Sequence, residues 1–393
     1  MQKIDADVLL LEACDFKNFP QGGQLSFARQ LMTAFGPRFA LVGVSTDDSP
    51  VGKWIRKEFD GIIYYFFGIG RRNPLIRKPL IPSRLSAMVQ LKYYEKDILS
   101  SGVSNIFTQA PEMLWIASTW DLKNICYMFP GVNNPLHMPR YKFGKIFARL
   151  FDYITFKSLN RVNLILACAD DQSIQQLIFR SNSKLNIDRI VKFPTRVDTN
   201  IFYPIDMLSA RRSLDLPIDK TIILYVGRLN KVKGWDFILN SFICFLKYKK
   251  NSLLVFVGDG EDKSCIESEI VKNGLNDKVL IAGQKTSEKV SNYLNASDIC
   301  VIGSVKEGWS MSMLEALATG KPLVSTDVSG ASEMIKEGEN GFVVHDRNPE
   351  LFSEAMFKAL RLKYSKKISV SLANKYSTSN LARDLGALWP PLS

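Results

Sequence analysis

Apolar residues along this chain come in short runs separated by amphipathic segments with helical spacing. Short apolar runs bounded by turn residues are typical of strands, and their alternation with helices predicts an α/β chain with doubly wound sheets. The pattern predicts two such sets, with strands at 8–13, 40–44, 62–66, 105–109, 125–129, 164–168 and 189–193 in the first and at 221–226, 253–257, 278–281, 299–302, 322–326 and 342–344 in the second.

The segment between the two sets of strands is predicted to be the crossing from one domain to the other. It covers residues 202–220 and carries Pro204, Pro217 and the basic pair Arg211 and Arg212. A chain of 393 residues has room for two domains of ordinary size, each with its own core. We therefore predict an N-terminal domain over 1–202 and a second domain over 203–374.

Two carboxylates, Glu307 and Glu315, stand eight positions apart around a predicted strand-to-helix turn within Ser304–Gly320. The helix N-terminus between them presents backbone N–H groups and a partial positive charge, which suit an anion. One carboxylate for a sugar, one for a ribose and amides for a phosphate predict a nucleotide-sugar site. The alternative is a capping box, in which Ser312 and Glu315 satisfy only the start of their own helix.

A second group of candidate residues follows the predicted strand at 221–226. Gly227 and Gly234 bracket a loop that contains the cations Arg228 and Lys233. Because ligands bind at the carboxyl ends of strands in open α/β sheets, these cations are placed to neutralise a diphosphate leaving group.

Several motifs occur together in the second half and resemble those of the retaining family 4 glycosyltransferases, in their bacterial surface-polysaccharide branch. The resemblance implies the GT-B fold, with two Rossmann-like domains facing each other across a cleft and a C-terminal tail, 375–393, that joins the N-terminal domain. It implies that the N-terminal domain binds the acceptor and the C-terminal domain binds the donor. The motifs are Gly227-Arg228-Leu229, Val257–Gly260, Ala296–Asp298, Glu307 with Glu315, and Gly320–Val324.

The same resemblance implies roles for individual residues. Arg228 and Lys233 would stabilise the leaving diphosphate without a metal ion, Glu307 would contact the donor sugar, and Glu315 would bind the ribose. No cofactor other than the donor is expected. The further donor-binding candidates are Gly22, Gly23, Gly227, Gly283, Gln284, Met311, Ser312 and Met313.

This sequence departs from the family in its N-terminal half. Many relatives carry a histidine at a strand end near the donor sugar, whereas the corresponding strand end here reads Thr108-Gln109-Ala110-Pro111-Glu112. Gln109, Glu112 or His137 are the residues that could replace it. A loop with Asn133, Asn134 and His137 could face the acceptor, and the alternative is that His137 is an ordinary surface residue.

The net charge of +12 is concentrated in the first 200 residues, which hold 26 Lys and Arg against 17 Asp and Glu. Within them, residues 70–84 carry five cations, no acids and interleaved aliphatic residues, directly after the aromatic cluster at 64–67. This mixture suits an anionic membrane surface. A solvated loop is the alternative, and no recognition motif favours nucleic acid.

The six cysteines are scattered, which favours a reduced compartment and argues against a metal site. The first residues have too short an apolar run for a signal peptide. We therefore predict a cytoplasmic protein at the inner face of the cytoplasmic membrane.

The predicted function is transfer of a hexose-type sugar, with retention, from a UDP- or GDP-sugar to a hydroxyl of a polyprenyl-diphosphate-linked oligosaccharide. Such a reaction serves O-antigen (lipopolysaccharide), capsule or exopolysaccharide biosynthesis. One alternative is a nucleotide-sugar-binding protein without transfer activity. Another is a polyanion-binding protein whose binding weakens with salt.

Overall fold

The computed structural model describes residues 3–20, 22–76, 81–137, 144–182, 185–363 and 365–393. The chain forms two compact units, one of Met1–Pro194 with Ser379–Ser393 and one of Thr195–Thr378. The predicted first boundary, after residue 202, lies later in the chain than the observed one. The predicted second boundary, after residue 374, lies earlier than the observed one. The difference arises because Val197 bridges to Ser377 and Thr195 donates a hydrogen bond to the Trp309 carbonyl, which ties both chain crossings to the second unit.

The first unit contains an eight-stranded sheet in the order β3-β4-β2-β1-β5-β6-β7-β8, parallel except for the β3–β4 pair. All seven predicted strands are present. The hairpin strand β3 was not predicted, because it lies at the sheet edge and its side chains are mostly half-buried or exposed. The strands are β1 (Val8–Leu11), β2 (Phe39–Ser45), β3 (Trp54–Phe59), β4 (Ile62–Arg71), β5 (Asn105–Thr108), β6 (Asn124–Phe129), β7 (Leu164–Ala167) and β8 (Ile190–Lys192).

Helices connect these parallel strands, and local signals set several of their starts. Pro111 occupies the first position of α4, where its missing N–H costs nothing, and the Asp170 carboxylate accepts a hydrogen bond from the Ser173 amide at the start of α6. The helices are α1 (Gly23–Phe35), α2 (Ser83–Tyr93), α3 (Glu95–Leu99), α4 (Pro111–Ala117), α5 (Ala148–Leu159) and α6 (Asp171–Arg180).

The second unit contains a six-stranded parallel sheet in the order β11-β10-β9-β12-β13-β14, and all six predicted strands are present. The strands are β9 (Thr221–Val226), β10 (Ser252–Val257), β11 (Val279–Gly283), β12 (Ile299–Ile302), β13 (Leu323–Thr326) and β14 (Gly341–Val344). The helices that follow in the chain are α7 (Met207–Ser213), α8 (Trp235–Phe245), α9 (Lys263–Lys272), α10 (Ser287–Ala296), α11 (Met311–Ala318), α12 (Ala331–Met334), α13 (Pro349–Ala359), α14 (Ser365–Lys375) and α15 (Leu381–Leu388).

Each sheet has a switch point, where successive strands stop adding to one side and begin on the other. In the first unit the switch lies between the neighbouring strands β1 and β5, and in the second unit it lies between β9 and β12. Open α/β sheets bind ligands in the crevice outside the carboxyl ends of such strands. The topology therefore directs attention to the loops after these four strands.

Within the predicted C-terminal tail, Ser379–Ser393 belongs to the first unit, whereas residues 375–378 belong to the second. Helix α15 contacts α1, the Trp389 ring lies edge-on to Phe107, and the Arg38 guanidinium donates hydrogen bonds to the carbonyls of Leu392 and Pro391. Within the described ranges, no helix combines the length and the apolar character needed to cross a membrane.

Candidate active site

The loops after β9 and β12 lie against each other at the switch point of the second sheet. Gly234 has the left-handed backbone conformation (φ 68°), and a Cβ there would lie 1.8 Å from the Gly303 carbonyl oxygen. Only glycine combines this φ with so close an approach. The Val305 amide also donates to the Val232 carbonyl at 2.8 Å, so the two loops are joined through their backbones.

An ion pair between Lys233 and Glu307 links the side chains of these two loops. The Lys233 Nζ donates to both Glu307 carboxylate oxygens, at 2.7 and 2.8 Å, and the Ser304 hydroxyl donates to Oε1 at 2.7 Å. The Glu307 side chain is 9% exposed and that of Lys233 is 34% exposed. The lysine therefore remains open to a ligand while the carboxylate is held beneath it.

The backbone around Lys233 is held by its own loop. The Asn230 side chain accepts a hydrogen bond from the Lys233 amide at 3.0 Å. The buried Tyr225 hydroxyl donates to the Arg228 carbonyl at 2.9 Å, and burial, with the nearby Glu307 charge, raises the tyrosine pKa well above its usual value. Arg228, which the sequence predicts as a site residue, lies in the same loop, and its side chain is exposed.

Glu315 lies five positions into α11, in its second turn, and the capping-box alternative for it is wrong. The helix begins at Met311 after Ser310, so Glu315 stands too far inside to cap it, and the Ser310 and Ser312 hydroxyls contact each other instead. Among the described residues, no hydrogen bond reaches the Glu315 carboxyl. Burial raises its pKa to about 8, so the neutral acid is favoured at pH 7.

Three glycines meet at the carboxyl ends of β9, β10 and β11. The Gly227 amide donates to the Val257 carbonyl, the Gly258 amide donates to the Gly283 carbonyl, and a Cβ on Gly258 would lie 1.9 Å from the Gly227 carbonyl oxygen. The predicted Gly227 and Gly283 are thus brought to one edge of the sheet. Gln284 follows there with an exposed side chain, and Met313 of α11 is fully buried.

The glycines predicted in the first unit lie at the start of α1. Gly22 and Gly23 are both exposed, and a Cβ on Gly23 would meet no atom within 4 Å. Nothing in the described protein therefore requires glycine at position 23, whereas its exposed backbone leaves room for a ligand.

The loop predicted to face the acceptor has two exposed candidate residues and one buried one. Asn133 and His137 are exposed, whereas Asn134 is buried, donating to the Ala148 carbonyl and accepting from the Leu136 amide, both at 2.8 Å. The Asn134 side chain is thus buried against backbone groups of the protein, which contradicts its prediction as an exposed acceptor contact.

Sequence reasoning missed Glu12, a buried carboxyl at the switch point of the first sheet. Its Oε1 accepts from the Gln109 amide N–H at 2.7 Å and from the Gln109 side chain at 3.3 Å, and burial raises its pKa to about 8. Gln109 also donates to the Gln24 carbonyl at 3.1 Å. An acid directly after the apolar run of β1 was the signal that could have identified it.

Arg84 lies next to this cluster. Its guanidinium bonds to the Gln24 side chain and approaches the Glu112 carboxylate at 3.9 Å. Of the residues considered as replacements for a histidine, Gln109 and Glu112 therefore join one polar network, and the exposed His137 has no place in it. Across the described ranges, no group of three or more His, Cys, Asp or Glu side chains could hold a metal ion.

The second unit, which contains the Lys233–Glu307 pair, is similar to a known family of glycosyltransferases. Residues 206–375, nearly all of the second unit, match the family model described as "Glycosyl transferases group 1". The chain is 31% identical over 182 residues to D-inositol 3-phosphate glycosyltransferase of Acidothermus cellulolyticus. This alignment covers 44% of this chain and 41% of that protein. It is 30% identical over 156 residues to the lipopolysaccharide core biosynthesis mannosyltransferase LpsB of Rhizobium meliloti, covering 38% and 44%. The chain thus aligns with less than half of each of these two relatives.

Solved structures are similar over both units. Sucrose-phosphate synthase from Thermosynechococcus elongatus has a TM-score of 0.80 at 19% identity, covering 100% of this chain and 99% of that one. Anabaena Alr3699/HepE, solved in complex with UDP-glucose, has a TM-score of 0.70 at 16% identity, covering 97% and 98%. At these identities the likeness concerns the fold, and the GT-B fold is confirmed.

Proposed function

We propose that the protein is a retaining, metal-independent glycosyltransferase that uses a UDP- or GDP-sugar. The Lys233–Glu307 pair carries this proposal. It places a ligand-accessible cation on a buried carboxylate, at the switch point of a sheet that matches the group 1 glycosyltransferase model. The complex of Alr3699/HepE with UDP-glucose supports the donor class.

Different residues of the site can bind different parts of the donor. As the diphosphate leaves, negative charge grows on its oxygens, and Lys233 with the exposed Arg228 can neutralise it. Glu307 keeps Lys233 in position and offers carboxylate oxygens to sugar hydroxyls. Glu315, which has no partner among the described residues, can accept hydrogen bonds from the ribose, and the amides of Met311–Met313 can face the phosphates.

The proposed acceptor is a hydroxyl of a lipid-linked oligosaccharide in surface-polysaccharide synthesis, at the cytoplasmic face of the membrane. The relative LpsB supports this choice, since its name assigns it to lipopolysaccharide core biosynthesis. The predicted membrane segment 70–84 is exposed at Arg71, Leu75 and Ile76. Residues 77–80 of that segment, including Arg77 and Lys78, lie outside the described residues.

The test is donor-dependent release of nucleoside diphosphate with UDP- and GDP-sugars, with and without polyprenyl-diphosphate-linked acceptors. We expect one donor class to turn over in the presence of a chelator. The anomeric configuration of the product, read by NMR, is expected to match that of the donor. Binding of a donor without any turnover would instead favour the nucleotide-sugar-binding protein, and salt-sensitive binding of polyanions alone would favour the third alternative.

A further inference from the structure

Arg347 lies in the loop after β14, at the edge of the second sheet, and its side chain reaches the loop that carries Glu307. The Arg347 Nη1 donates to the Gly303 carbonyl at 2.8 Å and to the Ser304 carbonyl at 3.0 Å. Strand β14 stands two strands away from β12, about 10 Å across the sheet, so only a long side chain can span the gap. The arginine therefore joins two loops that the strand order keeps apart.

The two carbonyls that Arg347 binds lie just beyond the end of a strand ladder. The described pairing of β12 with β13 ends at Ile302 and Ser325. Carbonyls inside a protein need a hydrogen-bond donor, and here one guanidinium nitrogen serves both. The Thr326 hydroxyl also donates to the Ser304 carbonyl, at 2.7 Å. The backbone of Ser304 is thus held by two donors from neighbouring loops.

The Arg347 guanidinium is itself held in place. Its Cζ lies 4.5 Å from the centroid of the Phe237 ring. The next residue, Asn348, caps α13, because its side chain accepts hydrogen bonds from the amides of Glu350 and Leu351 at 2.9 and 3.2 Å. This cap fixes the backbone from which the arginine side chain extends, so the guanidinium forms a rigid support.

Ser304 links this support to the charged site. Its carbonyl accepts from Arg347, and its hydroxyl donates to Glu307 Oε1 at 2.7 Å. Glu307 in turn accepts both hydrogen bonds from the Lys233 Nζ. The contacts therefore form one continuous path from the loop after β14 to the Lys233 ammonium.

We propose that Arg347 is a positioning residue for sugar transfer, which keeps the Lys233–Glu307 pair where charge develops on the leaving diphosphate. The inference rests on the proposed function for the reaction itself. Arg347 acts through Ser304, and a misplacement of about 1 Å in an active site can lower a rate by about 10²-fold. Because Arg347 is exposed, its truncation leaves the hydrophobic core intact.

The first experiment measures turnover by Arg347→Ala at varied donor concentration. We expect kcat to fall about tenfold and KM for the donor to change less than threefold, because Lys233 still binds the ground state but is no longer held where charge grows. Arg361→Ala is the matched control and should turn over as the wild type does. The Arg361 guanidinium stacks on the Phe357 ring at 4.4 Å and, within the described ranges, bonds to no residue of the loop after β12.

A double-mutant cycle tests whether Arg347 acts through Ser304. Ser304→Ala removes the hydroxyl that holds Glu307, so adding Arg347→Ala in that background should lower kcat by less than threefold. Losses that multiply in the double variant would overturn the proposal. Arg347→Lys keeps a donor group for the two carbonyls and should lose only about threefold. It provides the same test if the alanine variant does not fold.

A chemical readout that needs no turnover reports how Lys233 is held. Acetylation by acetic anhydride, followed by mass spectrometry, compares Lys233 with Lys231, whose side chain is 73% exposed. We expect Lys233 to react more slowly than Lys231 in the wild type. In Arg347→Ala the rate at Lys233 relative to Lys231 should rise at least threefold, and an unchanged ratio in the folded variant would overturn the proposal. Absence of turnover by the wild type would instead contradict the proposed function.

Discussion

The two units have equivalent switch points in their sheets and place different chemistry there. After β9 and β12, the second unit joins Lys233 to Glu307 as an ion pair. After β1 and β5, the first unit joins Glu12 to Gln109 through amide donors, and no ion pair to the Glu12 carboxyl occurs within the described ranges, although the Arg84 charge acts on it. The same topology therefore yields a charged site in one unit and a site with a buried, neutral acid in the other.

The difference shows that topology provides the location of a site and side chains decide its chemistry. A cation over a buried carboxylate suits a leaving group that gains negative charge. Amides and a neutral acid can exchange hydrogen bonds with hydroxyl groups, which suits an uncharged part of a substrate. We infer that this contrast reflects the proposed division between donor and acceptor units.

The largest expected effect comes from breaking the charged site. Lys233→Ala and Glu307→Gln should each lower turnover by about 10²–10³-fold, because each removes charge that is preorganised for the leaving group. The measurement is release of nucleoside diphosphate at saturating donor. Lys231→Ala is a matched control from the same short helix, since Lys231 is exposed and its ammonium contacts Asp236 at 3.6 Å and the Trp235 ring at 5.6 Å, away from Glu307. Normal turnover in the Lys233 variant would contradict its role.

The loop contact beneath the charged site should be a large determinant of stability. Gly234→Ala introduces a Cβ 1.8 Å from the Gly303 carbonyl oxygen at a φ of 68°, and we expect a loss of about 3 kcal/mol or more. Gly274→Ala is the control, because Gly274 has a similar φ of 65° with nothing within 4 Å. Its expected cost is about 1 kcal/mol. Urea unfolding compares the two, and equal losses would show that crowding at Gly234 is unimportant.

The neutral acid of the first unit should make stability depend on pH. The pKa of Glu12 is about 8 in the folded protein against an ordinary value of 4.5, so the folded state binds more protons than the unfolded state between these values. Stability therefore falls as pH rises from about 4.5 to about 8. Glu12→Gln should remove part of this fall, as measured by urea midpoints at pH 5 and pH 8.

Two further variants sharpen this measurement. Glu58→Gln, at an exposed position of β3, should leave the pH dependence unchanged. Glu315→Gln should remove another part of the fall, because burial also raises the pKa of Glu315 to about 8. An unaltered dependence in the Glu12 variant would mean that its carboxyl is already ionised near pH 5.

The smallest expected effect concerns nucleotide affinity. At pH 9, where Glu315 is ionised, its carboxylate accepts two hydroxyl hydrogen bonds more strongly than an amide, so Glu315→Gln should weaken binding of the preferred nucleoside diphosphate by about tenfold. Because the pKa of Glu315 is about 8, the wild type should gain affinity between pH 7 and pH 9 relative to the variant. Glu12→Gln is the control and should bind the nucleotide as the wild type does at pH 7.

The fold was largely predictable because buried parallel strands leave continuous apolar runs in the sequence. Every predicted strand is present, and only β3 was missed, since its residues are only partly buried at the edge of the sheet. The domain boundary was less predictable. The contact of Val197 with Ser377 joins residues far apart in the chain, and no local pattern reveals such a bridge.

The placement of Lys233 and Glu307 at one site was predictable because each lies in the loop that follows a recognisable strand. It did not reveal Ser304 as the second donor to Glu307, because a serine in a loop has many local uses. Neither did it reveal Glu12, whose importance comes from burial against β5. Asn134 was misjudged for the same reason, since its bond to the Ala148 carbonyl is a tertiary contact.

The central claim is that the switch point of the second unit is a nucleotide-sugar site, and calorimetric titration with UDP and GDP tests it most directly. The account predicts that one of the two nucleotides binds the wild type and that Lys233→Ala binds it at least tenfold more weakly while Lys231→Ala does not. Failure of both nucleotides to bind the wild type, or equal affinity in the Lys233 variant, would contradict the claim.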